Sequence, residues 1–206
     1  MQAVRNASPA DSADSDADTA PETMDRLRAF VALLLRWNAT INLVGRGDAG
    51  QLWARHVADS LRLRRFMAPS TERAIDLGSG AGFPGLVLAV ATNVPFALIE
   101  ADQRKAAFLG EAIRATAAPA TVHNCRIESA LLDPAPLVTA RALAPLPRLL
   151  GLAHRLVAPG GTCLFPKGAS AEAEIAEARR QGWRFAARAA GSQGSLVLRI
   201  SDIAHA

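Results

Sequence analysis

Apolar positions in the first part of the chain recur with the period of an α-helix. The positions are Leu27, Phe30, Val31, Leu34 and Leu35, and they predict a helix from about Thr23 to Trp37. A loop over 38–47 follows. A second helix is predicted from near Asp48, a favourable N-cap with Gln51 three residues later, to about Phe66. The Ala-, Asp- and Ser-rich residues 1–22 offer too little apolar surface to fold, and we expect them to be disordered.

From residue 73 onward, short apolar runs alternate with amphipathic stretches. The runs predict strands at 73–77, 96–100, 120–124, 137–140 and 162–165, and the stretches predict helices near 84–92, 102–116, 145–158 and 171–181. This alternation is typical of a parallel sheet with helices on both faces. Residues 183–188 and 195–201 have β character and are joined by a turn signal at 191–194, which predicts an antiparallel hairpin.

The predicted fold is therefore α/β and Rossmann-like, with a mostly parallel sheet, a C-terminal antiparallel hairpin and a small N-terminal helical extension. We divide the chain into an acidic tail over 1–22, the helical extension over 23–68 and the main domain over 69–206.

A glycine-rich loop follows the first predicted strand. Residues 76–85 read Asp-Leu-Gly-Ser-Gly-Ala-Gly-Phe-Pro-Gly, and glycines let the backbone turn tightly beside a ligand. Residues 80–85 also fit GxGxxG, so an NAD-type site is an alternative. Asp76 disfavours it, because a carboxylate there repels a pyrophosphate and attracts an ammonium or a sulfonium. S-adenosylmethionine carries both cations, and D-x-G-x-G-x-G resembles motif I of the class I methyltransferases.

The second predicted strand ends at Glu100, 18 residues after Gly82. An acid at this place in a βαβ unit can accept hydrogen bonds from both ribose hydroxyls of an adenosine. The loop and the acid together predict an adenosine-containing cofactor, with S-adenosylmethionine favoured. On this physical argument the cofactor-binding residues are Asp76, Gly80, Gly82 and Glu100.

The residues that follow the later strands are the other candidates, since ligands of open α/β sheets bind beyond the carboxyl ends of the strands. They are Arg126–Glu128, Arg141 and Pro166–Gly168. No Asn/Asp-Pro-Pro-aromatic motif follows the fourth strand, and neither cysteine has the Pro-Cys context of a pyrimidine carbon-5 nucleophile. Methylation of guanine N7 needs neither the motif nor a cysteine nucleophile. The N7 lone pair lies in the plane of the ring and attacks the methyl group directly, so no proton has to leave first. Proximity and electrostatics suffice for such a reaction.

Charge along the chain is uneven. Residues 1–22 hold one base and five acids, a net charge of −4. The whole chain has a net charge of +4, so residues 23–206 carry +8. A basic globular body favours a polyanionic partner, and we expect a nucleic acid. We predict that Arg46, Arg55, His56, Arg62, Arg65 and Lys167 contact RNA. A solvated basic helix face is the alternative.

Several classes of protein are disfavoured. The uncharged stretch over 77–99 contains four glycines and two prolines, which argues against a membrane span. No basic-then-apolar signal sequence opens the chain. Cys125 and Cys163 lack a CxxC or histidine neighbour, so we expect reduced thiols in a cytoplasmic protein and no metal site.

These segments together resemble the glucose-inhibited division protein B family (GidB, also RsmG) from about Leu33 to Ile200. The resemblance includes Asn42-Leu43, the helix 55–61, residues 75–85, 100–105, Phe108-Leu109, 126–128, 140–142 and Lys167-Gly168. The more specific elements are the RHxxDS pattern of the helix, the Phe-Pro-Gly after the glycine loop, and the Arg-Ala and Lys-Gly pairs in this order. The acidic residues 1–22, and Glu100 where relatives often have Asp, depart from the usual pattern.

The resemblance implies methylation of N7 of one guanine in 16S ribosomal RNA, with S-adenosylmethionine as donor. Carried over by motif, the cofactor-binding residues are Gly78, Phe83, Ile127, Glu128 and Arg141. Arg141 and Lys167 are expected to position the guanine or its phosphate, with no general base. The expected partner is 16S rRNA or the small ribosomal subunit, with no membrane partner, and the expected state is a monomer. Alternatives are a class I methyltransferase acting on a small molecule, a nucleotide-dependent oxidoreductase, and a non-enzymatic RNA-binding protein.

Overall fold

One mixed sheet organises the part of the chain that the structure describes. The structure is a computed structural model, and it describes residues 19–45, 51–192 and 195–205. The strands are β1 (Ala74–Leu77), β2 (Phe96–Ile99), β3 (Ala120–His123), β4 (Ala135–Thr139), β5 (Val157–Lys167), β6 (Trp183–Ser192) and β7 (Ser195–His205). Their order across the sheet is β3-β2-β1-β4-β5-β7-β6.

The strand directions agree with the sequence pattern. β1 to β5 run parallel, and β7 pairs antiparallel with both β5 and β6. The predicted parallel sheet with a C-terminal hairpin is therefore confirmed. Of the predicted turn over 191–194, residues 193–194 lie outside the described residues. The strand order reverses between β1 and β4, which opens a crevice at their carboxyl ends where ligands of α/β sheets bind.

Six α-helices accompany the sheet in the described ranges. They are α1 (Pro21–Asn38), α2 (Ala58–Leu61), α3 (Gly85–Thr92), α4 (Gln103–Thr116), α5 (Leu146–Ala153) and α6 (Ala171–Arg180). Each lies where a helix was predicted. Asp102 caps α4, because its carboxylate accepts hydrogen bonds from the N–H groups of Arg104 and Lys105 at 2.8 and 3.1 Å.

The N-terminal helices differ in detail from the prediction. α1 begins at Pro21, so Pro21 and Glu22 are helical and do not belong to a disordered tail. The predicted second helix is irregular, with a π-helical turn at Trp53–Val57 before α2 and a 3₁₀ turn at Arg62–Phe66 after it. Single π-helical turns are common at functional sites. Residues 1–18 and the predicted N-cap Asp48 lie outside the described residues.

The helical extension shares its hydrophobic core with the sheet. Phe30 and Leu34 of α1 are fully buried in one cluster with Phe83, Leu86 and Phe108. The opposite face of the sheet packs against α5 and α6 in a second cluster. No helix in the described ranges combines the length and the apolarity needed to cross a bilayer. Our boundary between extension and main domain stays a prediction.

Candidate functional site

A cavity of about 460 Å³ lies at the carboxyl ends of the first strands, and we refer to it as the cofactor cavity. Its size is ordinary for a small-molecule site. The predicted residues that line it are Gly78, Gly80, Glu100, Ile127, Glu128 and Arg141. Leu43, Lys105, Cys125 and Leu143 are among its other lining residues. The fold thus brings together residues that follow four separate strands, β1 to β4.

The glycine loop forms one wall of the cofactor cavity. Gly78 and Gly80 have φ angles of +63° and +55°, a left-handed conformation that side chains rarely adopt. Their bare backbone leaves room for a ligand to approach closely.

Glu100 ties this loop to the end of β2. One carboxylate oxygen accepts the Gly80 N–H and the other accepts the Asp102 N–H, each at 2.8 Å. A carboxylate offers about four lone-pair sites, so acceptor capacity remains for the hydroxyls of a ribose. The glycine cradle and the acid therefore fit an adenosine-containing cofactor.

Asp76 lies behind the loop, fully buried at the end of β1. Its Oδ1 accepts a hydrogen bond from the hydroxyl of Thr139 at 2.6 Å, while Oδ2 abuts the backbone of Gly85 and has no hydrogen-bond partner among the described residues. Burial raises the pKa of Asp76 to about 6, although the hydroxyls of Thr139 and Ser79 act to lower it. Asp76 does not line either described cavity, so its assignment to cofactor binding stays a prediction.

A 3₁₀ turn at Ile127–Ser129, which the sequence pattern did not predict, carries two of the predicted cofactor-binding residues, Ile127 and Glu128. Ile127 is buried and Glu128 is exposed, and both line the cofactor cavity. Arg155 donates hydrogen bonds to the carbonyl oxygens of Ile127 and Ala130. The turn is thereby fixed to the segment between α5 and β5.

A second cavity, of about 500 Å³, adjoins the first, and we refer to it as the basic cavity. Among the described residues, the cationic side chains that line it are Arg55, Arg62, Arg65, Arg141 and Lys167. Two carboxylates also line it, and each is ion-paired: Asp59 with Arg62 at 2.9 Å and Glu174 with Lys167 at 2.7 Å. The cavity is therefore suited to an anionic ligand such as RNA phosphate.

Arg141 and Ala142 line both cavities. They belong to residues 141–146, which run from the end of β4 into α5 and which we call the dividing segment. The Arg141 guanidinium lies over the Phe83 ring, 4.9 Å from its centroid, and donates a hydrogen bond to the Arg55 carbonyl oxygen at 3.4 Å. Arg141 therefore links the glycine loop, both cavities and the helical residues 55–65, which we call the basic helix.

The other predicted residues lie at varying distances from the cavities. Gly82 and Phe83 are not among the described lining residues, and Phe83 instead packs against His56 with ring centroids 5.1 Å apart. His56 is partly buried there rather than on the wall of the basic cavity. Arg46 lies outside the described residues.

Two residues that contribute to the site were missed by sequence reasoning. Leu143 lies against Gly78: a Cβ atom placed on Gly78 would be only 2.7 Å from Leu143 Cδ1, so the two residues are in close contact. Glu174 of α6 reaches back to the dividing segment through a hydrogen bond from the Leu146 N–H at 2.7 Å. Neither residue sits in a motif, so only the three-dimensional arrangement reveals them.

The strand order, the antiparallel β7 and the glycine loop facing an acid at the end of β2 define a class I S-adenosylmethionine-dependent methyltransferase. A comparison of folds agrees. The crystal structure of ribosomal protein L11 methylase from Lactobacillus delbrueckii subsp. bulgaricus is similar, with a TM-score of 0.58 at 12% sequence identity over 72% of this chain and 78% of that one.

Sequence comparison identifies the family. The family model of GidB, rRNA small subunit methyltransferase G, matches residues 23–188. The ribosomal RNA small subunit methyltransferase G of Acidiphilium cryptum is 53% identical over 186 residues, covering 87% of this chain and 85% of the relative. That of Rhodospirillum centenum is 50% identical over 186 residues, covering 89% and 86%. This chain belongs to the rRNA small subunit methyltransferase G family.

Proposed function

We propose that this protein transfers a methyl group from S-adenosylmethionine to N7 of a guanine in 16S rRNA. The observation that carries the proposal is the pair of adjoining cavities, one with a glycine cradle and an acid, the other lined by cations, which meet at Arg141. A methyl donor in the cofactor cavity and a nucleotide in the basic cavity would approach each other at the Arg141 side chain. Family membership narrows the nucleic acid to small-subunit rRNA.

The residues that would hold the cofactor each have a separate task. Gly78 and Gly80 leave space beside the loop, Glu100 accepts hydrogen bonds from the ribose, and Ile127 flanks the adenine while Glu128 meets its edge. The cofactor supplies an electrophilic methyl group on a sulfonium. Asp76 lies one layer further in and keeps the loop in place.

The chemistry at N7 requires no proton acceptor in the basic cavity. The carboxylates among its described lining residues are both engaged in ion pairs, so neither is poised as a general base. The N7 lone pair attacks directly, and the protein contributes alignment and charge. Arg141 is the residue that we assign to positioning the guanine, because it faces both cavities.

Docking of the RNA is assigned to the basic helix. Arg55, Arg62 and Arg65 line the cavity from the π-helical and 3₁₀ turns that flank α2, where cations can engage phosphates. We propose that the protein acts in the cytoplasm, since its substrate is part of the ribosome, and a monomeric state stays a prediction.

The test is transfer of a radiolabelled methyl group from S-adenosylmethionine to small ribosomal subunits and, separately, to protein-free 16S rRNA. Both substrates come from a strain that lacks the enzyme, and nucleosides are analysed after digestion. A single 7-methylguanosine is the expected product. Absence of label from both RNAs, with the cofactor still bound, would refute the proposal and favour a small-molecule substrate.

A further inference from the structure

The dividing segment is held at its far end by a partly buried ion pair. Lys167, at the end of β5, donates hydrogen bonds to the Ala144 carbonyl oxygen at 2.9 Å and to Glu174 Oε2 at 2.7 Å. The same Oε2 accepts the Leu146 N–H at 2.7 Å, and Oε1 accepts the Ser170 hydroxyl at 2.7 Å. One ammonium and one carboxylate thus fix two points of the segment's backbone.

The near end of the segment makes the contacts that define the two cavities. Arg141 stacks on Phe83, and Leu143 lies against Gly78. Between them Ala142 has a φ angle of +52°, a left-handed conformation that costs a non-glycine residue about 1–2 kcal/mol. Such a conformation persists only where the surroundings hold it in place. The position of Arg141 therefore depends on how the rest of the segment is anchored.

Lys167 has little of its charge available to an outside ligand. Its side chain is 11% exposed and that of Glu174 is 18% exposed, and the two atoms of the ion pair are 2.7 Å apart. Partial burial acts to raise the pKa of Glu174, but hydrogen bonds from Lys167, Ser170 and Leu146 hold it below its ordinary value. The Glu174 carboxylate therefore stays ionised at neutral pH. This geometry points away from the direct RNA contact that the sequence suggested for Lys167.

We propose that Glu174 and Lys167 are positioning residues, which hold the dividing segment so that Arg141 and Leu143 face their cavities together. The inference deepens the proposed function and rests on it. Glu174 does not line the cofactor cavity, so it would influence cofactor affinity only through the segment. A coupling of this kind between two sites requires a shared structural element, and the dividing segment is that element.

The experiment compares Glu174→Ala and Lys167→Met with the wild-type protein. Glu172→Gln is the matched control, because Glu172 is an exposed acid on the same helix. Calorimetry gives the Kd for S-adenosylmethionine without RNA, methyl transfer to small subunits gives kcat and KM, and urea unfolding verifies that each variant is folded. Glu174→Gln and Ser170→Ala are milder variants that keep the test informative if a truncation fails to fold.

We expect kcat to fall about tenfold or more and the cofactor Kd to rise about three- to tenfold in both main variants, with KM for the subunit changing less than about threefold. The double variant should be no worse than the more severe single variant, because both remove the same anchor. Glu174→Gln should recover most of kcat, since an amide oxygen can still accept the Leu146 N–H. The control should match the wild-type protein.

Two results would overturn the proposal. If Lys167→Met alone raised KM and weakened the salt dependence of RNA binding while Glu174→Ala behaved normally, Lys167 would contact RNA directly. If the variants lost only stability, with kcat and cofactor Kd unchanged, the pair would be purely structural. Failure of the proposed function is distinguishable, because the wild-type protein would then bind the cofactor and leave the RNA unmethylated, while the effect on cofactor Kd would still test the pair.

Discussion

The guanidinium of Arg141 lies 4.9 Å from the centroid of the Phe83 ring, and this contact joins the end of β4 to the residue that follows the glycine loop. Phe83 in turn meets Phe30 of α1 edge to face, with centroids 5.4 Å apart. A continuous set of contacts thus runs from the helical extension to the side chain that faces both cavities. Cation–π pairs of this kind contribute about 0.5–2 kcal/mol, depending on desolvation.

Replacing Arg141 should impair methyl transfer. Arg141→Ala removes the stacking cation and part of the wall between the cavities, so we expect kcat/KM to fall at least about tenfold, or about 1.4 kcal/mol of transition-state stabilisation. Arg141→Lys keeps the charge but loses the planar group, and should be intermediate. Transfer of labelled methyl to small subunits measures both. Full turnover by Arg141→Ala would show that methyl transfer does not require Arg141.

Gly85 should tolerate no side chain. A Cβ there would lie 2.5 Å from Asp76 Cβ and 2.7 Å from its Oδ2, so Gly85→Ala must displace either α3 or β1. We expect a loss of about 1–3 kcal/mol in the free energy of unfolding. Gly168→Ala is the control, because a Cβ at Gly168 meets nothing within 4 Å. Urea denaturation measures both, and equal stabilities for the two variants would contradict the expectation.

Asp76 should make stability depend on pH. Its pKa is about 6 in the folded protein, against an ordinary value of 3.8. Between these values the folded state binds more protons than the unfolded state, so the free energy of unfolding falls as pH rises from about 4 to about 6. The change is at most about 3 kcal/mol, from 1.36 kcal/mol per pKa unit.

Asp76→Asn removes this titration while its amide oxygen can still accept the Thr139 hydroxyl. We expect the variant to gain stability relative to the wild-type protein between pH 4 and pH 7.5. Denaturant unfolding of both proteins across that range, without cofactor, is the measurement. Parallel pH profiles would show that Asp76 titrates normally.

Neutralising a cation of the basic cavity should weaken RNA binding in a salt-dependent way. For Arg65→Gln we expect affinity to fall several-fold at low salt, and the slope of log K against log salt to decrease in magnitude by about one. Arg180→Gln is the comparison, since Arg180 is exposed on α6 and paired with Glu177. An unchanged salt slope for Arg65→Gln would place the RNA elsewhere.

The sequence predicted the order and type of most elements because their local signals agree. The apolar runs of β1 and β2 are bounded by turn residues, and the glycines of the loop after β1 indicate a tight turn. The C-terminal hairpin was also predicted from its sequence, since two runs with β character flank a turn signal. Boundaries moved by a few residues, most clearly at β5, which extends over Val157–Lys167 where 162–165 was predicted.

The supporting contacts of the site could not be predicted, since they join residues far apart in the chain. Asp76 was expected to meet a cation of the cofactor, yet it is buried and its Oδ1 accepts the hydroxyl of Thr139, which lies directly opposite on β4. Lys167, which the sequence assigned to RNA contact, is ion-paired with Glu174 on the following helix, a partner that the sequence did not indicate. Such pairings depend on register and on side-chain burial, and neither is encoded in a local pattern.

The burial of Phe30 and Leu34 beside Phe83 and Leu86 has a consequence for how the protein responds to its cofactor. Because the helical extension shares its core with the sheet, the two unfold together. A ligand bound at the strand ends therefore stabilises both the extension and the sheet. At a free concentration one hundred times its Kd, a ligand adds about 2.7 kcal/mol to the stability of everything in that unit. The supply of methyl donor thereby contributes to the stability of the helical extension as well as to that of the sheet.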